Sequence, residues 1–187
     1  QFDGYFDLKE IDLSVYKNAS VVGTIFHDYS GEDVQKMQAG KQADIVELLY
    51  QMEDITTPDN KAKNYVYYEA RTLHDSSLSK AIHSITACDL GMEKEAYEMF
   101  MSAALTDLGQ EMKSSDAGIH SANMGGVWQD VVMGFGGIRI RDGHLRIAPN
   151  CPKQWEKFTY PIYWKGNKLD VTVCKDGVEV INEGTAF

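Results

Sequence analysis

The hydrophobic period of this chain changes once, across Gly134-Phe135-Gly136-Gly137, and the change limits what each side can fold into. Upstream, apolar residues recur every three to four positions, the period of a helix with one buried face; downstream they recur every second position, the period of a strand. Val34, Met37, Ala43, Val46, Leu49 and Tyr50 predict a helix over 34–53, interrupted at Gly40, with Ser30 or Gly31 as its cap and Glu32 and Asp33 in the favoured first turn. Thr57-Pro58-Asp59 opens another helix with proline at the first helical position. Leu78, Ile82, Ile85 and Leu90 predict a helix over 78–90 that stops at Gly91, and Ala96, Met99, Phe100, Ala103, Ala104 and Leu108 one over 93–108. A last helix covers 119–133 with Gly125-Gly126 inside it; two helical glycines cost roughly 1 kcal/mol each against alanine and mark close approach by a backbone or a ligand.

Beyond residue 137, Ile138 and Ile140 alternate with Leu145 and Ile147 about Asp142-Gly143, a strong hairpin signal. Phe158, Tyr160, Ile162 and Trp164 follow. Gly166-Asn167 turns the chain into Leu169, Val171 and Val173, and Asp176-Gly177 turns it into Val178 and Val180. The fold class is therefore mainly α with a small antiparallel β appendage: 1–135 helical, after an irregular, aromatic-rich lead-in over 1–30, and 136–187 in strands.

Length and charge narrow the function. The 187 residues, 43% hydrophobic and 25% charged, make one sizeable domain or a domain with an appendage. The net charge of −10 excludes a broad nucleic-acid surface, and an anionic ligand must find local donors against a repelling field. No run of about 18 apolar residues exists to span a membrane. The opening Gln1-Phe2-Asp3-Gly4-Tyr5-Phe6 has no signal-peptide pattern and no methionine, and reads as cut from something longer. Cys88, Cys151 and Cys174 are odd in number and widely spaced, which fits a reducing, cytoplasmic setting.

Two runs carry chemistry. Tyr67-Tyr68-Glu69-Ala70-Arg71-Thr72-Leu73-His74-Asp75-Ser76-Ser77-Leu78-Ser79 and Gly118-Ile119-His120-Ser121-Ala122-Asn123-Met124-Gly125-Gly126-Val127-Trp128-Gln129 each bring hydroxyls, an imidazole and bare backbone to the start of a helix. A helix mouth offers free N–H groups and the positive end of the dipole to an anion. In the first run, Asp75 and Ser76 either cap the following helix, or the free N–H groups and the Ser76 and Ser77 hydroxyls hold phosphate oxygens, with Glu69 and Arg71 orienting one another or the loop. In the second, Asp116 either caps the helix, leaving His120 a satisfied histidine, or His120 donates to an anion that also touches the backbone near Gly125. Lys41 and Gln42, mid-helix after Gly40, are either solvated or reach for sugar hydroxyls. His74, His83, His120 and Cys88 lack a paired metal-ligand spacing, so no metal site is expected. No Gly-x-Ser-x-Gly elbow and no phosphate-binding Gly-x-x-x-x-Gly-Lys-Ser/Thr loop occurs.

At these residues the sequence resembles glycoside hydrolase family 65, the maltose, kojibiose, nigerose and trehalose phosphorylases. The resemblance runs through Gln1-Phe2-Asp3-Gly4-Tyr5-Phe6, Gly40-Lys41-Gln42-Ala43-Asp44, the 67–79 run, Asp116-Ala117-Gly118-Ile119-His120, Gly125-Gly126-Val127-Trp128-Gln129 and Gly134-Phe135-Gly136-Gly137. It implies the last helices of an (α/α)6 barrel followed by an antiparallel, β-sandwich-like C-terminal domain. It implies inverting phosphorolysis of an α-glucoside to β-glucose 1-phosphate, with Lys41 and Gln42 on the glucose, and Ser76, Ser77, His120 and the backbone at Gly125 on the phosphate. Inorganic phosphate is then a co-substrate and no cofactor is needed. The partners implied are the disaccharide or other α-glucoside, the N-terminal remainder of the same enzyme, and a second copy in a homodimer. The family's general-acid glutamate matches no residue here, so no catalytic residue is assigned and the 187 residues alone are expected to be inactive. Phosphate as nucleophile requires a positioned anion cradle where an inverting hydrolase places a carboxylate base. Two departures stand out: Ala70 where the family pattern has proline, and Asn123-Met124 where it has Ser-Leu.

Overall fold

The computed structural model describes residues 4–17, 19, 21–109 and 118–184. Among them run α1 (Ser14–Lys17), α2 (Gly31–Val34), α3 (Asp44–Gln51), α4 (Pro58–Ala70), α5 (Ser79–Asp89), α6 (Glu93–Ala104) and α7 (Ser121–Gln129). A π-helical turn (Asp130–Phe135) follows, then β1 (Ile138–Arg141), β2 (His144–Ile147), β3 (Lys157–Trp164), β4 (Asn167–Cys174) and β5 (Gly177–Asn182). The expectations for 1–3 and for Asp116 lie outside the described residues.

α5 is the centre of the helical part. Residues 81–88 are all buried, as befits a helix walled on every side. Val46 and Tyr50 of α3, Tyr65 of α4, Ala96 and Phe100 of α6, and Phe135 share its core. Gly91 ends the helix at φ +69°; Gly91 N–H donates to Cys88 O at 3.1 Å and Met92 N–H to Ala87 O at 2.9 Å, a Schellman closure. Ser30 caps α2 and Thr57 caps α4, with Pro58 in its first turn, as the sequence predicts.

The helix expected over 34–53 is two helices with extended chain between them. Gln38 N–H donates to Lys9 O at 2.8 Å. Gly40 pairs in parallel with Thr72: its N–H donates to Arg71 O at 2.8 Å and its carbonyl accepts from Leu73 N–H at 2.8 Å. Backbone groups that find such partners are lost to a helix. The buried Gln38 side chain pins the segment, accepting from Tyr67 OH at 2.6 Å and from Arg71 Nε at 3.0 Å. Lys41 and Gln42 thus stand at the entrance to α3 rather than in mid-helix. The 93–108 helix also stops earlier, at Ala104, leaving Leu108 82% exposed.

The strands form a two-stranded sheet, β1-β2, and a meander, β3-β4-β5, all antiparallel. Tyr160, Leu169, Val171 and Val173 face inward as the alternation predicts. Pro161 fits because β3 is an edge strand that needs no further donor. Ile140 departs from the pattern at 63% exposure. The first hairpin turns on Asp142 (φ +48°) and Gly143 (φ +73°) as predicted; the other two turn one residue earlier, at 165–166 and 175–176. Val132 and Phe135 of the π turn pack into the strand core and the helical core respectively, so one turn of chain serves both.

That π turn opens with a fully buried carboxyl. Ser84 Oγ lies 2.8 Å from both Ala96 O and Asp130 Oδ1. A hydroxyl has one hydrogen, and the carbonyl, which can only accept, takes it; Asp130 must then be protonated and donate to Ser84. Burial raises this carboxyl well above its ordinary value, against the opposing effect of Ser84. A raised folded-state value contributes stability that is full below the unfolded pKa, about 3.9, and is lost as pH rises toward the folded value. Asp130→Asn, neutral and able to donate to Ser84, is expected to stay within about 1 kcal/mol of wild type at pH 5 and to gain on it at pH 9. Urea unfolding at the two pH values measures this; parallel curves would show Asp130 to be ionised throughout.

Candidate functional site

The α5 entrance and one flank of α7, from Ala122 in its first turn to Gln129 at its end, border one cleft of about 410 Å³. Leu78 and Ser79 line it from α5, Gly125, Trp128 and Gln129 from α7, and Gln42 and Glu47 from the α3 side. Neither entrance is closed by a side-chain cap: Leu78 holds the N-cap position of α5 and His120 that of α7, and neither caps through its side chain. Asp75, a candidate cap in the sequence, accepts instead from Gly23 N–H at 3.0 Å. Ser76 Oγ accepts only a long 3.4 Å bond from Leu78 N–H.

The two glycines of α7 do different things. A Cβ on Gly126 would lie 3.2 Å from Ala81 Cβ, so Gly126 is where α7 rests on α5. A Cβ on Gly125 would meet nothing within 4 Å, so its bare backbone faces the open cleft. Helix contact and ligand access, the two readings of a glycine pair, are divided between neighbours.

Of the sequence-predicted residues, Gln42 and Gly125 line the cleft. Lys41 is exposed beside Gln42, Ser76 and Ser77 are half-buried in the turn before Leu78, and His120 is half-buried two residues before Ala122, which also lines the cleft. Asp107 holds His120 from two sides, accepting from its backbone N–H at 3.0 Å and meeting ring Nδ1 at 2.6 Å. The bond from His120 holds the Asp107 carboxyl below its ordinary value. Nδ1 is thereby committed, and Nε2 is the ring atom left for a ligand. Glu69 and Arg71 do not orient one another. Arg71 pairs with Glu10 and Gln38 and lies over the Tyr67 ring, whereas Glu69 pairs with Lys17 at 2.6 Å and lies 3.5 Å from His74 Nε2.

Sequence reasoning missed four participants. Asp107 sits in a turn with no periodic signal. Trp128, 56% exposed, gives the cleft an aromatic rim. Glu47 places a carboxylate on the Gln42 side, so an anion is favoured toward the α5 entrance and the α7 flank. Ser79 stands two residues past the serines singled out. Asn123, a departure from the family pattern, points away: fully buried, it donates to Ala103 O at 2.8 Å and ties α7 to α6. Among the described residues no cluster of three His, Cys, Asp or Glu could hold a metal ion, and no helix is long and apolar enough to cross a membrane.

Helices that frame a cleft rimmed by an indole, followed by small antiparallel sheets, define a mainly α protein with a β appendage. Residues 1–129 match the glycosyl hydrolase family 65 central catalytic domain and residues 138–186 the C-terminal domain of that family. The chain belongs to glycosyl hydrolase family 65. It is 44% identical to a kojibiose phosphorylase of Halothermothrix orenii, an alignment covering 96% of the chain and 23% of that protein. It is 40% identical to an α,α-trehalose phosphorylase of Thermoanaerobacter brockii, over 78% of the chain and 19% of that protein. A solved structure of a candidate kojibiose phosphorylase from the human microbiome superposes with a TM-score of 0.89 at 32% identity, covering 98% of this chain and 27% of that one. The chain thus spans about a quarter of the length of the relatives it matches.

Proposed function

We propose that this chain supplies the phosphate cradle and part of the glucose subsite of an inverting α-glucoside phosphorylase, which converts an α-glucoside and inorganic phosphate to β-glucose 1-phosphate. The observation that carries the reading is the meeting of the α5 entrance and the α7 flank, neither helix closed by a side-chain cap, at one cleft with Gly125 open to it. Phosphate lies between them, held by Ser76, Ser77, the backbone at Gly125 and His120 Nε2. Lys41 and Gln42 take hydroxyls of the glucose, and Trp128 offers a face to the ring. Holding the anion on the side opposite the leaving group supplies the attacking atom at high effective concentration. The acid that protonates the leaving oxygen is not assigned to any residue of this chain. Phosphate is the co-substrate and no cofactor takes part. The protein acts in the cytoplasm as a homodimer.

The test is phosphorolysis by the gene product that contains these residues, assayed on kojibiose, maltose and trehalose. Glucose 1-phosphate should form only when phosphate is present. Gly125→Val should fold, with stability within about 1 kcal/mol of wild type, and lose at least about a hundredfold in phosphorolysis, because the branched side chain occupies the anion's approach. His120→Ala should raise KM for phosphate by about tenfold. Glucose release without glucose 1-phosphate would make the protein a hydrolase, and wild-type activity in folded Gly125→Val would remove the cradle from this cleft.

A further inference from the structure

The first turn of α5 separates two cavities. Ser79 lines the cleft on one side; Glu69 and His74 line a cavity of about 270 Å³ on the other. A chain of polar contacts crosses the wall between them. Lys17 binds both the Glu69 carboxylate and the Glu69 carbonyl, the carboxylate lies 3.5 Å from His74 Nε2, and His74 Nδ1 meets Ser79 Oγ at 3.0 Å. His74 is 6% and Ser79 1% exposed, and His74 is held at φ +57°, a conformation a non-glycine residue seldom adopts. His83 closes the far side of the ring, 4.6 Å away edge to face, with its own Nδ1 committed to Ser79 O at 3.0 Å. None of the phosphate or glucose contacts proposed for the cleft uses this array.

Its protonation follows from its parts. Burial alone would raise the Glu69 carboxyl, but the nearby His74 ring, 3.5 Å away and short of a hydrogen bond, and the bonded Lys17 outweigh it and hold the group at about 2, so it is ionised. Burial lowers His74 more than Glu69 raises it, so the imidazole is neutral. A neutral ring beside a carboxylate keeps its one proton on the near nitrogen, Nε2. Nδ1 is then a bare acceptor and takes the hydrogen of Ser79 Oγ. Lys80, which also faces this cavity, lies toward Ser102.

We infer that Glu69 and His74 are positioning residues that draw the Ser79 hydroxyl hydrogen away from the cleft, so that Ser79 presents lone pairs to the anion and recognises the proton of hydrogen phosphate. This rests on the phosphate reading proposed above. The Ser76 and Ser77 hydroxyls can donate, whereas a neutral His120, with Nδ1 committed to the Asp107 carboxylate, offers Nε2 as a second acceptor. Acceptors in the cradle discriminate by proton inventory: hydrogen phosphate can donate to one of them, whereas sulfate carries no proton at neutral pH and sets an oxyanion against a lone pair. The array therefore makes the cradle selective for phosphate over sulfate, two tetrahedral anions of nearly equal size.

The experiment is a competition between inorganic phosphate and sulfate on the gene product that contains this chain. Phosphate is read by its KM and sulfate by its inhibition constant against phosphate. Wild type should favour phosphate by at least about tenfold. Ser79→Ala should lower the ratio severalfold, chiefly by weakening phosphate, and Ser79→Thr should restore it. Glu69→Gln removes the charge that fixes the tautomer, frees His74 to donate from Nδ1, and should strengthen sulfate binding while the fold persists. An unchanged ratio in folded Ser79→Ala or Glu69→Gln would overturn the inference and leave the cradle standing. A wild-type protein that does not use phosphate would overturn the cradle itself.

Discussion

Replacing Gly137 by alanine is expected to cost the protein at least about 3 kcal/mol and to lower its melting temperature by about 6–12 °C. The residue sits at φ +64°, where an L side chain costs roughly 1–2 kcal/mol. Steric overlap costs more. A Cβ there would lie 1.8 Å from Ala148 O and 2.9 Å from Pro149 N, backbone atoms that no rotamer change can move. Relief requires shifting the segment after β2, and that segment is fastened here: Ala148 N–H donates to Gly137 O at 3.0 Å and Asn150 N–H to Phe135 O at 2.7 Å. Gly143→Ala is the control. It has a similar φ of +73°, but nothing lies within 4 Å of its Cβ, so only the strain of the backbone conformation applies. Thermal unfolding of the two variants should differ by several degrees, with Gly137→Ala the lower. Equal melting temperatures would show that the 148–150 segment yields freely and does not brace the π turn.

The same run of glycines shows what sequence reading reaches. The change of period there divides helices from strands correctly, because periodicity reports which faces are buried and burial is decided locally along each element. Caps and stops were also legible at Ser30, Thr57 and Gly91, where one side chain or one positive φ settles the matter. The helix over 34–53 failed because its interruption is tertiary. Gly40 pairs with Thr72, and Gln38 is fixed by Tyr67 and Arg71, partners some 30 residues away that no local window contains. Ile140 failed for a related reason: alternation names a face, but the exposure of that face depends on how far the opposing layer extends.

The candidate site was legible as two helix entrances and illegible as a constellation. Hydroxyls and glycines before a helical period mark where a helix begins, and Gln42 and Gly125 do line one cleft. The residues that fix the geometry were hidden. Asp107 reaches His120 across 13 positions, and Lys17 reaches Glu69 across 52. Glu69 and Arg71 look like a pair at two residues' spacing, yet each has a partner contributed by the lead-in, Lys17 and Glu10. A charge that anchors a loop announces itself only through its partner, and the partner is set by topology.

Arg139→Met is expected to destabilise the protein by about 3 kcal/mol, at the lower end of the cost of breaking a buried ion pair. Arg139, whose side chain is 11% exposed, is the point where strand β1 is tied to the helices. Its Nε donates to Glu53 Oε1 at 2.7 Å, one terminal nitrogen to Asp89 Oδ1 at 2.7 Å, and the other to the carbonyls of Met133 at 2.6 Å and Ile138 at 2.8 Å. Its guanidinium lies 4.9 Å over the Tyr50 ring. Methionine fills much of the volume but leaves two carboxylates and two carbonyls without the guanidinium. The loss stays near the lower end because each carboxylate keeps a cation: Arg141 still binds Glu53, and Lys61 binds Asp89 at 2.7 Å. Arg139→Lys keeps the charge but not the fork, and should fall between wild type and methionine. Added salt separates this network from surface pairs. At 1 M, where the Debye length is about 3 Å, Lys63–Asp59, more than 70% exposed on both sides, should lose its contribution while the cost of Arg139→Met persists. Amide exchange should quicken first in β1 and β2, ahead of α5 and α7, because the tie holds the hairpin and not the cleft. A folded Arg139→Met within about 0.5 kcal/mol of wild type, with β1 exchange unchanged, would move the anchorage of the β unit from this network to the apolar contacts of Val132, Ile138 and Tyr160.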